Sequence, residues 1–244
     1  MPMSYIFREH IKQSLAVIAF LIALTACTSE SYDAGDGPNS YLTADLVLLH
    51  TSQDKSVRSA LLDDGTTLQF SNPFAQDWLT RPDSVYRALL YYDKTVAASD
   101  AAASNPTATS IVRARSVRPV SVLRPVEAED METLRTDPVG FESLWLSKNK
   151  SYINLSLLLK SGKTEADDAL HALGIVSHGT TTDADRRRTL HLTLYHDQGG
   201  VPAYYTVQQY VSIPTQLLEK ADTVELTLNT YNGKKVVKVA VSNL

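Results

Sequence analysis

Cysteine is almost missing. The chain has 244 residues and one Cys, Cys27. No internal disulfide can form, so a buried core must hold any folded part together. A zinc site built on several cysteines is excluded as well. Long apolar runs are also scarce. Leu15–Leu24 is ten residues, and a spanning helix needs roughly 20, so a permanent transmembrane helix is disfavoured. An excess of basic residues is lacking. The formal net charge is −4, which provides no electrostatic footprint for nucleic acid and no general attraction to anionic lipid. The chain contains no G-x-S-x-G elbow, no His-Glu-x-x-His and no Gly-rich phosphate loop. No catalytic residues, cofactor or metal are therefore expected. A carboxylate-pair hydrolase of the cell envelope, whose acids need only be close in space, is kept as the least favoured reading.

What is present begins with an export signal. Arg8 and Lys12 form a basic segment, Leu15–Leu24 an apolar one, and Leu24-Thr25-Ala26-Cys27 follows. This tetrad resembles the lipobox of bacterial lipoproteins. The resemblance implies cleavage before Cys27 and acylation of its sulfur and new amino group, with each buried CH₂ contributing about 0.8 kcal/mol to anchoring. Residues 1–26 are then a signal peptide and 27–40 a polar tether. The tether reads TSESYDAGDGPNS after Cys27 and holds the first folded residue about 20 Å from the lipid. Its Asp, Glu and Ser residues look faintly like an acidic surface-export signal, so the expected address is the outer membrane, with the cell surface favoured over the periplasmic face.

The remainder alternates apolar and polar residues at the period of strands. Residues 41–125 are expected to hold five. Leu42, Ala44, Leu46 and Leu48 are read as the buried face of the first, and Val57, Ser59 and Leu61 continue in the second. Asp63-Asp64-Gly65 signals a tight turn. Val85–Tyr92 is apolar on both faces, as in a strand closed into a barrel or covered by a neighbour. The small-residue stretch 94–110 is read as a loop. Five strands with one tight hairpin predict an OB-like small barrel. Residues 126–137, with Glu127, Glu129, Asp130 and Glu132, are read as a linker or short helix. Residues 138–244 carry seven further strands, approximately 139–147, 150–160, 172–178, 189–196, 203–213, 222–230 and 234–242. Asn232-Gly233 is a hairpin signal between the last two. The fold class is thus all-β: an OB-like barrel followed by a seven-stranded immunoglobulin-like β-sandwich. Trp78 is expected in the barrel and Trp145 in the sandwich core.

LTAC, DAGDG, LLDDGTTL, DPVGFESLWLSKNKSYINL and LTLNTYNGKK together resemble the NigD-like lipoproteins of Bacteroidetes. The resemblance runs over essentially the whole chain and implies an OB-like domain before a β-sandwich. Its name comes from a bacteriocin gene cluster, and no established activity comes with it. It adds an immunity-like or inhibitor lipoprotein as an alternative to a non-catalytic binding or structural module.

Few residues qualify for a site. Cys27 is the expected lipid attachment and hence the contact with the membrane. Arg113 and Arg115 share one face of a barrel strand, where they suit a carboxylate or sulfate. The doublet Tyr91-Tyr92 presents one ring each way and suits sugar stacking or a contact with an envelope protein. A solvated strand face and ordinary sheet composition explain the same residues more simply. His178 and His191 on adjacent strands form the only metal pair worth naming. Scattered surface histidines, with His196 at a strand end, are the preferred reading.

Overall fold

The computed structural model describes residues 42–94, 110–163, 170–218 and 220–241. Expectations for the signal segment, Cys27, the tether and the centre of the small-residue loop lie outside these residues. The described part from Leu42 onward is one compact unit.

Strands β1 (Leu42–Thr51), β2 (Val57–Leu62), β3 (Thr67–Phe74), β4 (Val85–Lys94) and β5 (Ser110–Pro119) close into a barrel in the order β1-β2-β3-β5-β4. β4 returns antiparallel to β1, and β5 joins β3 in parallel. This is the expected OB-like barrel. Closure leaves no free sheet edge except where pairing stops early.

The core face of β1 is the opposite of the expected one. Val47 and Leu49 point into the barrel, while Leu42 and Ala44 are exposed. The run Leu46-Val47-Leu48-Leu49 is apolar on both faces, so alternation alone does not fix the register. In β2 the buried residues are Val57, Ala60 and Leu62. Its pairing with β3 shifts between Val57 and Ser59, and such a bulge reverses which side chains point inward. Leu79 plugs the barrel at 2% exposure, and Trp78 sits half-buried beside it, edge-on to Tyr86 at 5.8 Å.

Asp63-Asp64-Gly65 makes the expected turn. Leu62 N–H donates to Thr66 O, Thr66 N–H donates to Asp64 Oδ1, and Gly65 has φ +91°. A side chain there clashes with nothing but is strained by the backbone itself. Gly65→Ala is expected to lower stability by about 1–2 kcal/mol. Urea unfolding would check this, and an unchanged midpoint would be the contrary result.

The chain then enters a sandwich. β7 (Pro125–Glu127), β10 (Ala172–Thr182), β11 (Arg188–Asp197), β13 (Thr223–Thr230) and β14 (Gly233–Ala240) form one sheet. β6 (Ser121–Val122), β8 (Gly140–Leu146), β9 (Tyr152–Ser161) and β12 (Tyr205–Pro214) form the other. The seven expected strands are all there, joined by two short ones, β6 and β7. Not every pairing is antiparallel: β11 lies parallel to β13, β10 to β7 and β12 to β6. The acidic stretch supplies one 3₁₀ turn, Ala128–Asp130, and a second, Thr215–Leu217, crosses between the sheets.

Ile153, Leu155, Leu157 and Leu159 of β9 meet Leu190, Leu192 and Leu194 of β11 and Val224, Leu226 and Leu228 of β13 in one core. All three faces were legible from alternation. β9 is unusual because its other face is buried too, through Asn154 and Ser156. The barrel covers that face.

Candidate functional site

The barrel and the four-stranded sheet meet through an apolar cluster. Leu46 of β1, Leu89 of β4 and Val120 are buried, with Tyr91, Trp145 and Tyr210 packed against them. Trp145 therefore belongs to this junction and not to the sandwich core. The reason is parity: Leu144 and Leu146 point into the sandwich, so Trp145 between them points out. The same geometry explains why β4 is apolar on both faces. Ala88, Leu90 and Tyr92 fill the barrel while Leu89 and Tyr91 meet the sandwich.

A polar clamp lies beside that cluster. Arg87 of β4 is 4% exposed. Its Nη1 and Nη2 donate to Asp63 Oδ1 and Oδ2 at 2.6 and 2.7 Å. Nη2 also donates to Asn154 Oδ1 at 3.0 Å, and Nε donates to Ser212 Oγ at 3.1 Å. The guanidinium lies 4.3 Å from the centre of the Tyr152 ring. Asn154 Nδ2 donates to Asp63 Oδ2, and Asn149 N–H donates to Asp63 O. The barrel's hairpin turn is thus bound to sandwich strands β9 and β12. A bidentate pair with its remaining donors satisfied is the geometry in which a buried ion pair is tolerated.

Where the two parts do not touch, they leave a cleft of about 430 Å³. Tyr91, Trp145 and Tyr210 form its aromatic wall, with Trp145 and Tyr210 edge-on at 6.4 Å. Asp45, Asp63, Asp64 and Glu142 supply carboxylates, and Lys148 a cation. Glu142 Oε2 accepts from Ser156 Oγ and from Gln208 Nε2, both at 2.5 Å. These donors hold the Glu142 carboxyl below the usual carboxylate range.

The residues singled out in sequence do not assemble. Tyr91 lines the cleft. Tyr92 is 2% exposed inside the barrel, its hydroxyl donating to Asp45 Oδ2 at 2.8 Å. Burial and that carboxylate push its pKa up, and its ring is not presented to a ligand. Arg113 and Arg115 are exposed on β5, but Arg115 is held by Asp93 at 2.5 Å and lines a different depression from Tyr91. Arg87, Asn154, Trp145 and Glu142 were missed. A lone Arg within the apolar strand VYRALLYY and polar residues within INLSLLL were the available signals.

The histidines divide. His178 Nε2 bonds Thr193 Oγ1, and His191 Nε2 bonds Thr181 Oγ1 while its Nδ1 meets Glu225. Among the described residues no group of three or more His, Cys, Asp or Glu gathers as a metal site. His196 is not a surface residue. It is 1% exposed, because strand parity puts it on the inward face of β11 with Leu190, Leu192 and Leu194. Its Nδ1 reaches Asp137 O at 2.9 Å, and its Nε2 reaches His171 Nδ1 at 2.9 Å, with the rings stacked.

Burial, and then the neighbouring His196, lowers the His171 pKa from 6.5. Its neutral form is therefore the one the fold favours, and the unfolded chain binds the proton more readily. This contribution is fully present above about pH 6.5 and is lost as pH falls below it. Thermal melts at about pH 5 and pH 7.5 should show destabilisation on acidification that shrinks in His171→Gln. An equal pH dependence in both proteins would contradict this.

A comparison with curated proteins finds no significant match. The family described as NigD-like C-terminal beta sandwich domain matches residues 122–241. Among solved structures, a NigD-like immunity protein from Bacteroides caccae superposes with TM-score 0.59 at 21% identity, covering 81% of this chain and 91% of that one. A suspected toxin-related protein from Parabacteroides distasonis gives 0.54 at 20%, covering 81% and 92%. A suspected lipoprotein from Bacteroides fragilis gives 0.56 at 12%, covering 82% and 98%. At these identities the likeness is one of fold, and it extends over barrel and sandwich together. Residues 122–241 are thus a NigD-like C-terminal beta sandwich domain, and the chain resembles the NigD-like family of Bacteroidetes.

Proposed function

We propose that the protein is a non-catalytic binding module of the cell envelope, anchored to the outer membrane through acylated Cys27 and facing the cell surface, and that its binding surface is the cleft between barrel and sandwich. The observation that carries this reading is the cleft itself. Three aromatic rings and four carboxylates converge where the two parts meet, and concave, partly apolar sites at such junctions are where ligands bind. The chemistry there does not favour hydrolysis. Glu142 is held ionised by Ser156 and Gln208, the opposite of what a general acid requires.

Hydrogen exchange tests the binding surface. Incubation with solubilised envelope extract is expected to slow exchange along Glu142–Lys148. Protection elsewhere with none in this stretch would refute the assignment. The anchor has its own test. Cys27→Ala should shift the protein from the membrane fraction to the soluble fraction or leave it as an unprocessed precursor. A processed mutant that still partitions with membranes would contradict acylation.

An immunity role is the second reading, supported by the description of the Bacteroides caccae structure as a NigD-like immunity protein. It predicts that deletion sensitises the producer to a toxin and that cleft variants fail to restore tolerance.

A further inference from the structure

We infer that the cleft takes an extended, basic peptide segment that adds as a strand to the open edge of β8; this rests on the binding-module reading above. Three independent features point to this occupant. The first is the backbone. Among the described residues β8 is the last strand of its sheet, paired with β9. Glu142, Ser143, Trp145 and Leu146 of that strand line one wall of the cleft. At about 3.3 Å per residue, the stretch Glu142–Leu146 offers roughly 16 Å of strand, whose alternate N–H and C=O groups turn away from β9 towards an incoming chain. The facing wall is open in the same sense. β2 joins β1 only from Val47, so Ala44–Leu46 pair with β4 alone. An unprotected edge is usually blunted by charge or covered. Here the register shifts between Phe141 and Ser143, which confines the regular edge to the residues after it, and the charged side chain at the shift is Glu142, which selects a partner of opposite sign instead of excluding all partners.

The second feature is charge. Asp63 is neutralised by Arg87, and Lys148 acts on Asp64. Among the described residues the side chains bonded to Asp45 and Glu142 are neutral: the Tyr92 hydroxyl for the first, Ser156 and Gln208 for the second. Glu142 Oε2 is occupied by Ser156 and Gln208, which fixes the carboxylate at the wall of the cleft. A guanidinium or ammonium completes that arrangement. The chain's own segment 28–40 does not, because it carries Glu30, Asp33 and Asp36 and no Lys or Arg.

The third feature is the aromatic wall. Trp145 and Tyr91, both partly buried, line the cleft together with those carboxylates. Lys and Arg stems pack on such rings while their charged heads bind the acid. On a strand pairing with β8, alternate side chains point at this wall, so the recognised pattern is a basic residue at every second position.

The test uses the full chain in detergent micelles and a phage-displayed random library of peptides about ten residues long. The expected pool is enriched in Lys or Arg at alternate positions. The selected peptides should bind about tenfold or more weakly to Glu142→Lys and to Trp145→Ala, and N-methylation of alternate backbone amides should abolish binding. Glu142→Gln, which keeps the size of the side chain, serves as the milder variant if Glu142→Lys disturbs folding, and should also weaken binding. A pool without basic enrichment, indifference to both cleft variants, or tolerance of N-methylation would overturn the inference, as would self-association through β8. A glycan array run on the same protein separates the two levels. Glycan binding that is lost in Trp145→Ala, with no selected peptides, would overturn the peptide assignment and leave the binding module standing. Neither ligand responding to the cleft variants would overturn both.

Discussion

Asp63→Ala is expected to destabilise the protein by about 3–5 kcal/mol, a fall in melting temperature of roughly 6–20 °C for a chain of this size. Arg87 is the reason. Its side chain is 1% exposed and its pair with Asp63 is bidentate. Removing the carboxylate leaves a guanidinium over the Tyr152 ring with the neutral oxygens of Asn154 and Ser212 as its acceptors. Neither can supply the lost counter-charge, and water has little access. An exposed ion pair such as Arg58–Asp54, with both side chains more than half exposed, is worth at most about 1 kcal/mol. Burial accounts for the difference. The double substitution Asp63→Ala with Arg87→Met is expected to cost less than Asp63→Ala alone, because it removes the stranded charge and fills the space with an apolar stem. Urea unfolding of the two single variants and the double variant closes the cycle. A loss below about 1 kcal/mol for Asp63→Ala, or strict additivity in the double variant, would show that the clamp does not hold the junction.

The clamp also shows why part of the molecule was legible and part was not. The period of two in ILLL along β9 and in LLL along β11 has one interpretation, and those faces are the core. Asp-Gly and Asn-Gly turns are equally direct, since Gly65 and Gly233 both hold positive φ. Such signals are local. Leu46-Val47-Leu48-Leu49 defeated the same method because both faces are buried, one by the barrel and one by the sandwich. Which face was which depended on a contact more than a hundred residues away, of the kind Arg87 makes with Ser212. The stretches LLDDGTTL and DPVGFESLWLSKNKSYINL contain Asp63, Asp64, Trp145, Asn149, Tyr152 and Asn154. The motifs that carried the family resemblance are therefore, in large part, the two sides of the junction. Nothing in either stretch alone says so. His196 failed for a related reason. A polar or amphipathic residue near a strand end reads as exposed, and only the folded sheet shows that strand parity has turned it inward.

If the junction couples the two cores, damage to one must be felt by the other. Leu49 is fully buried in the barrel and Leu226 is 1% exposed in the sandwich. Leu49→Ala is expected to cost about 2–5 kcal/mol through lost burial and the cavity left behind, and Leu226→Ala a similar amount. In the intact protein either change should shift a single cooperative transition, because Leu46, Leu89, Tyr91, Trp145 and Tyr210 make the barrel's outer face part of a shared apolar contact. With the clamp removed by Asp63→Ala, Leu49→Ala should split the transition, the weakened barrel melting first and the sandwich near its own temperature. Calorimetry reads the number of transitions. Fluorescence assigns them, because Trp78 sits in the barrel and Trp145 at the junction. Two separate transitions in the unaltered protein would mean that barrel and sandwich fold independently and that the clamp only orients them. A single transition that survives both substitutions would mean that the apolar contact alone is enough to couple them. One transition in the intact protein and two in the doubly altered one would assign the coupling to Arg87 and Asp63, and with it the constancy of the cleft that lies beside them.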